Sequence, residues 1–512
     1  MNLLVCGFSS GTHCEIISGL SERSFDIAYW VGKKRIESFL ENNRRRFART
    51  LFHDYTDALA GIPAPGMNTE AFAPIGTDII QSLVSFEPQI LSLMSRIDFC
   101  GITVSEKQRR YYHYVWYWNG VLSHLKPDVV VFHDVPHIVF DTVLYYVAKM
   151  LGIKTVLMRP LTSMRDRVAF FGDFHDYREV REEYRRLEQS LMSERDIDPS
   201  VKDVYGVLKG LSTKHVPQAY AEYAGKSGKE KSVEVFPRFS RILISVLQFR
   251  FFRTSAKYIR LLFTRRELCN ITKRSPFGIV LLWENIRYRR LRKGFQKEYE
   301  SLHTETPDLS QRYIYFPLHS QPEATTNPMG GIFDDQILAA DLLAKSLPPG
   351  WKLYVKEHAD QWTLPRVHTG RYPGYYKTLA RHKNVALISV GVSGFDLIQN
   401  AKAVATIAGS TAMEAVARGK PACVFGYPMY AECEGMLRID TFDSCQEAMK
   451  KIQTGYAPDA LKVLRFFQAL SNVSVGAYIH KRHGRGSKYS YAESVRNMTE
   501  GLYQACVKPV ET

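Results

Sequence analysis

From Tyr313 onward the chain alternates short apolar runs with helix-patterned stretches, and this alternation limits the possible folds more than any other feature. The runs are Tyr313–Pro317, Trp351–Val355, Val385–Ser389, Ala403–Ile407 and Ala422–Phe425. Between them, Asp335–Ser346, Tyr375–His382, Gly394–Gln399 and Thr411–Arg418 carry helical patterning. Strands with no polar face are what a parallel sheet buries beneath helices on both sides. The N-terminal end reads alike. Leu3–Cys6 leads into the small-residue turn Gly7–Gly11, and Val129–Phe132 is followed by a helix over Val139–Leu151, a stop at Gly152 and the strand Lys154–Leu157. The middle of the chain is charged and helical by pattern, as over Glu179–Arg195, and Ser490–Cys506 has helical periodicity. The expectation is α/β: two doubly wound parallel-sheet domains facing a cleft, with a helical basic insertion between them. The divisions expected are 1–165, 166–310, 311–480 and a helical tail, 481–512.

Composition narrows the class. With 512 residues, 45% of them hydrophobic and 23% charged, the chain is neither disordered, collagen-like nor membrane-embedded. Its longest apolar candidates, Ile242–Phe249 and Phe277–Trp283, are fenced by arginine and too short to span a bilayer. The start, Met1–Gly7, reads as a buried strand rather than a signal peptide, and the eight cysteines form no C-x-x-C pair. A cytoplasmic protein is expected. The formal net charge is +16, and residues 231–300 hold 17 lysines and arginines against five glutamates. Apolar residues recur there at helical spacing. Such a segment could lie on an anionic membrane surface or grip an acidic polymer, or it could be a surface helix with solvated arginines. Nucleic acid is not expected, since no recognised binding module accompanies the charge.

Three segments place polar side chains just past strand ends, where open α/β sheets bind ligands. In Ala403–Pro421 a strand runs through Gly409-Ser410-Thr411 into a helix. Backbone N–H groups and two hydroxyls there suit a phosphate, and Glu414, one turn in, could accept hydrogen bonds from ribose hydroxyls. Thr411 and Glu414 are also spaced as a capping box, the plain structural alternative. In Tyr354–His358, Lys356 and His358 alternate with Glu357, so the two cations can share one side. His358 could bind or protonate a departing phosphate and Lys356 could neutralise it; a satisfied structural histidine is the alternative. The first strand ends in His319, Gln321 and Glu323. His319 and Gln321 join the donor-binding set, and Glu323 is a candidate general base. Asp334-Asp335 could bind metal, but helix capping is the better reading. In the N-terminal half, His133, Asp134 and His137 follow a strand as acceptor contacts or base, and His13 follows the Gly7–Gly11 turn. These lack metal-ligand spacing, and Asp196-Ile-Asp198 sits in a charged, non-strand context. No metal is expected.

Together, Tyr-Phe-Pro-Leu-His-Ser-Gln-Pro-Glu, Tyr-Val-Lys-Glu-His and Ala-Gly-Ser-Thr-Ala-Met-Glu-Ala…Gly-Lys-Pro, all within Tyr313–Tyr427, resemble bacterial capsule polysaccharide biosynthesis proteins. That family includes the capsule β-Kdo transferases. A weaker echo is His133–His137. The resemblance implies a GT-B-like pair of Rossmann-like domains, the donor nucleotide in the C-terminal one and the acceptor in the N-terminal one. It implies a metal-independent glycosyltransferase of capsule synthesis with no cofactor beyond a nucleotide-sugar co-substrate. A CMP-linked ulosonic acid such as Kdo is favoured over a UDP-sugar, and the acceptor would be a glycan or glycolipid. By position, His358 would contact the donor phosphate, Ser410 and Thr411 would hold it, and Glu414 would lie near the ribose. Glu323 or the His133/Asp134 pair would deprotonate the acceptor. The basic stretch 231–300 would touch the anionic inner face of the cytoplasmic membrane. Where the family usually has His-Pro, this chain has His358-Ala359. Two other readings stay open: a UDP-sugar epimerase or hydrolase of the same fold, and a non-catalytic capsule assembly or export factor.

Overall fold

The computed structural model describes residues 1–98, 101–161, 163–164, 166–190, 193–210, 277–363, 370–479 and 487–509. In the first half, β1 (Asn2–Cys6), β2 (Asp26–Gly32), β3 (Leu51–Asp54), β4 (Val129–Phe132), β5 (Lys154–Pro160) and β6 (Arg167–Phe171) build one sheet. The second sheet holds β7 (Tyr313–Pro317), β8 (Lys352–Lys356), β9 (Val385–Ile388), β10 (Ala403–Thr406), β11 (Ala422–Val424) and β12 (Met436–Arg438). A late strand, β13 (Ser474–Gly476), returns to the first. The strand orders are β13-β6-β5-β4-β1-β2-β3 and β12-β11-β10-β7-β8-β9. All pairings are parallel except β5 with β6 and β6 with β13. The all-apolar strands are buried on both faces: Val129, Val130 and Val131 are 0% exposed. Each sheet therefore reverses its winding once, between β1 and β4 and between β7 and β10. These two crevices are where such sheets take ligands.

The two-domain, Rossmann-like expectation holds, but its divisions do not. The boundary at 165 cuts off β6, which belongs to the first sheet, and the boundary at 480 is misplaced by about a helix and a strand. The helix Ala460–Asn472 turns Phe466, Phe467 and Leu470 inward, and the ring of Phe466 meets Tyr184 of the helix Arg178–Gln189 at 5.3 Å. β13 then pairs with β6, and the helix Tyr491–Val507 buries Met498, Leu502 and Cys506 in the first core. What the sequence presents as a tail is thus a structural part of the first half. The reason is apolar: these helices have faces that only that half can cover.

The expected basic insertion also divides. Residues 231–276 lie outside those described. The helix Gly278–Glu300 sends Phe295 and Tyr299 into the second core, so its end belongs to the C-terminal half. Its beginning is not covered: Trp283 is 65% and Val280 47% exposed. No helix among the described residues is long and apolar enough to cross a membrane.

The halves touch through the helix Glu87–Ile97, whose positions 89, 92 and 96 share one face. Gln89 donates to the carbonyl of Pro328 (2.7 Å), Asn327 donates to the carbonyl of Gln89 (3.2 Å), and Ser92 donates to Asp334 (2.6 Å).

Candidate functional site

The β7–β10 crevice joins two of the expected segments. Beyond β10, the Thr406 hydroxyl accepts the Gly409 N–H (3.1 Å) and bonds Nε2 of His319, beyond β7, at 3.0 Å. Gly409 lies flat on that imidazole: a Cβ there would meet His319 Cε1 at 2.6 Å, so only glycine fits. The Tyr430 hydroxyl ties down the Gly409 carbonyl. The helix Thr411–Ala417 then begins with Ser410 as N-cap, and no side chain caps it. The capping box that Thr411 and Glu414 could have formed is absent, because Thr411 is already inside the helix. Glu414 is 5% exposed, and burial pushes its carboxyl up to about 7, opposed by the nearby Arg418 charge. A buried carboxyl one turn into this helix can donate or accept a hydrogen bond near neutral pH.

His358 arrives from β8, which neighbours β7. Beneath it lies a buried ion pair absent from the sequence reading. Arg371 donates from Nε and one terminal nitrogen to both oxygens of Glu357 (2.8 and 3.0 Å), both side chains being fully buried. Tyr376 donates to the same carboxylate (2.6 Å), as does the backbone N–H of His358 (2.7 Å). Arg371 also donates to the His319 carbonyl (3.0 Å) and the Gln321 side chain (2.7 Å). One guanidinium thus fixes the ends of β7 and β8 together. Glu357 does face away from His358, as alternation requires.

His358 Nδ1 accepts the Asp360 N–H (3.2 Å) and caps the short turn Ala359–Trp362, so in the neutral ring the proton sits on Nε2. The turn that a proline would stiffen is here made by the histidine itself. His319 is held neutral, its pKa pushed down to about 3 by burial and then by the charges of His358 and Arg371. Glu323 is half-buried, and burial raises its carboxyl while His358, Thr325 and Arg96 oppose the rise. His319, His358 and Glu323 therefore share one electrostatic neighbourhood, with Gly409 packed on the first.

Two donor-side expectations change. Gln321 is saturated: its amide nitrogen donates to the Asp334 carbonyl and carboxylate (both 2.7 Å), and its oxygen accepts from Gln336 (2.9 Å) and Arg371 (2.7 Å). It braces the site and has no capacity left for a ligand. Lys356, its pKa lowered by burial, donates to the Val392 carbonyl rather than standing clear in the cleft. Asp335 caps the helix Gln336–Ser346, while Asp334 takes Ser92, Gln321 and Asn327. Among the described residues, no group of three or more His, Cys, Asp or Glu is arranged to hold a metal ion.

The β1–β4 crevice assembles the N-terminal set. Gly7, at φ 84°, packs under His133, whose Nδ1 would lie 2.0 Å from a Cβ there. The His13 and His133 rings are 5.8 Å apart. His13 Nδ1 accepts the N–H groups of Ser9 (3.0 Å) and Ser10 (3.3 Å), which makes it a brace for the Gly7–Gly11 turn. Asp134 accepts the Val135 N–H (2.7 Å), and His137 donates from Nδ1 to the Val135 carbonyl (2.7 Å). Burial lowers the His133 pKa. Asp141, which sequence reasoning missed, is buried beside these histidines, and burial raises its carboxyl while the charge of His137 opposes the rise. Its only signal is one carboxylate in the first turn of a mostly apolar helix.

Two Rossmann-like halves, each with one switch-point crevice, define a GT-B-like α/β protein. Residues 333–456, which span β8 to β12, match the sequence profile of the family described as capsule polysaccharide biosynthesis protein. The resemblance read from the motifs stands over that stretch. No curated protein matches the chain. Solved structures match the chain at low identity. UDP-GlcNAc 2-epimerase from Methanocaldococcus jannaschii is 13% identical, covering 92% of this chain and 99% of its own, with a TM-score of 0.24. The β-Kdo 2,7 transferase of Thermosulfurimonas dismutans KpsC is 10% identical, covering 83% and 97%, with a TM-score of 0.31. UDP-GlcNAc 2-epimerase from Neisseria meningitidis is 11% identical, covering 99% and 100%, with a TM-score of 0.21.

Proposed function

We propose that the protein is a metal-independent glycosyltransferase of capsule polysaccharide synthesis. It takes a sugar from a nucleotide donor, a CMP-linked ulosonic acid rather than a UDP-sugar, and passes it to a glycan or glycolipid acceptor. The observation that carries this reading is the meeting of the Gly409–Thr411 turn, His319 and His358 at the β7–β10 switch point, within and beside the stretch that matches the capsule family. The leaving phosphate sits at the Gly409–Thr411 turn, and His358 stabilises its charge from Nε2. Glu414 takes the ribose hydroxyls. Glu323, whose carboxyl burial makes more basic, or His133 beside Asp134, accepts the proton of the acceptor hydroxyl.

A ligand that binds only the folded state raises the melting temperature. CMP in millimolar excess, in EDTA, should raise it by several degrees, and UDP, GDP and CDP by less. A larger UDP shift would favour an epimerase or hydrolase, and no shift with any nucleotide would favour a non-catalytic assembly factor.

The protein also rests on the anionic inner face of the cytoplasmic membrane through its basic segment. Support comes from the uncovered start of the helix Gly278–Glu300, where exposed Val280 and Trp283 precede Arg287, Arg289, Arg290, Arg292 and Lys293. Vesicles containing phosphatidylserine should float the protein at low salt and release it at high salt, and W283E should weaken flotation. Equal recovery with neutral vesicles would remove this contact.

A further inference from the structure

The stretch from Lys33 to Arg49 holds seven lysines and arginines against Glu37 and Glu41. Lys33, Lys34 and Arg35 gather at one end, and Arg44, Arg45 and Arg49 at the other. All six are exposed, and none makes a side-chain hydrogen bond or ion pair among the described residues, while Arg46 beside them pairs with Glu22 at 2.9 Å. The fold sets the two clusters apart. β2 finishes at Gly32 beside the end of β1, and the Lys33 N–H donates to the Ser9 hydroxyl (3.0 Å), so the first cluster stands at the rim of the β1–β4 crevice. The helix Arg35–Asn42 then runs for about 12 Å, at 1.5 Å per residue. It delivers the second cluster to the opposite edge of the sheet, where the Thr50 hydroxyl donates to the Ile27 carbonyl near the start of β2 (2.7 Å). The result is a stripe of positive charge from the crevice rim down the side of the sheet. Unpaired like charges held this close repel one another, and an anion laid along them relieves that repulsion. The apolar residues of the stretch point inward: Ile36, Leu40 and Phe47 are buried, and the Phe39 ring packs on Trp30 (6.1 Å) and Phe47 (5.8 Å). The stripe therefore offers no apolar side chain to a bilayer, unlike the start of the helix Gly278–Glu300, and no open ring on which nucleic-acid bases would stack. Charge displayed along a line suits a hydrophilic polyanion, and arginine forks match carboxylates.

We propose that the stripe from Lys33 to Arg49 is the track on which an acidic polysaccharide acceptor lies while its end enters the β1–β4 crevice. The first cluster meets the units next to the reacting end, and the second holds units further along the polymer. That the polyanion is a glycan rests on the glycosyltransferase reading; that a polyanion binds rests on the stripe alone. Remote from the crevice, the second cluster acts on affinity and not on chemistry.

Fluorescence anisotropy of the full chain tests it with three labelled probes: an oligogalacturonate long enough to span the stripe, a neutral maltooligosaccharide of the same length, and single-stranded DNA of the same charge. Wild type should bind the oligogalacturonate at low salt, release it at high salt, and not bind the maltooligosaccharide. K33Q/K34Q/R35Q and R44Q/R45Q/R49Q should each weaken that binding by about ten-fold or more. Their melting temperatures should match wild type, since no bond is lost, and the CMP-induced thermal shift of R44Q/R45Q/R49Q should be the same. No oligogalacturonate binding by wild type, equal binding of the neutral sugar, unchanged binding in either triple variant, or tighter binding of the DNA overturns the proposal. So does loss of flotation on phosphatidylserine vesicles in the triple variants with oligogalacturonate binding intact, which would make the stripe a membrane contact. A missing CMP shift in wild type sinks the nucleotide-sugar reading instead and leaves the comparison of probes and variants intact.

Discussion

Replacing Arg371 with alanine should destabilise the C-terminal half by about 3–5 kcal/mol, because it leaves the Glu357 carboxylate buried without its counter-charge. The pair is fully enclosed, and each partner is held by further bonds: Glu357 by Tyr376 and the His358 N–H, Arg371 by the His319 carbonyl and the Gln321 side chain. R371K should recover only part of the loss, since an ammonium cannot span Glu357 and Gln321 as a fork does. The double variant E357L/R371M should be nearer to wild type than R371A, because it removes both charges and leaves no orphan. The loss would be read from the urea midpoint of the C-terminal half's transition. A cost under about 1 kcal/mol for R371A would mean that water reaches the pair and that it does not brace the site. Because Arg371 holds the ends of both β7 and β8, R371A should also weaken the CMP thermal shift.

The legible part of the fold is the part whose cause is local. Tyr313–Pro317 and Val129–Phe132 lie where their apolar runs end, because a strand buried on both faces leaves no polar position within it. β13 could not be read: Ser474-Val-Gly476 is three residues long and becomes a strand only by pairing with β6, about three hundred positions earlier. The domain boundary near 480 failed for the same reason. At the site, position past a strand end drew attention to His319, His358 and Gly409, which the structure gathers beside the β7–β10 switch point, since switch-point geometry follows from strand order. Position could not tell a ligand group from a brace. Gln321 has the same sequence signal as His319, yet Asp334, Gln336 and Arg371 use up its amide. Asp141 gains meaning only once its helix packs beside His133 and His137, which no local pattern reveals.

His358→Ala should lower turnover by ~10²–10³-fold, the usual effect of removing one charge-stabilising donor, with little change in melting temperature. His319 cannot substitute: burial and its charged neighbours hold its pKa near 3, so it stays neutral across the working range of pH. On the proposed transferase reading, that leaves His358 as the imidazole that would meet the departing phosphate. The competing explanation is that His358 matters only as a cap, since its Nδ1 accepts the Asp360 N–H and starts the turn Ala359–Trp362. H358N separates the two. Asparagine is a good N-cap and can accept the same N–H, so it should preserve the turn and the thermal stability. It has no titratable nitrogen near neutral pH, so turnover should remain as low as in H358A. Turnover in H358N within a few-fold of wild type would reduce His358 to a structural cap and remove it from the proposed transfer chemistry.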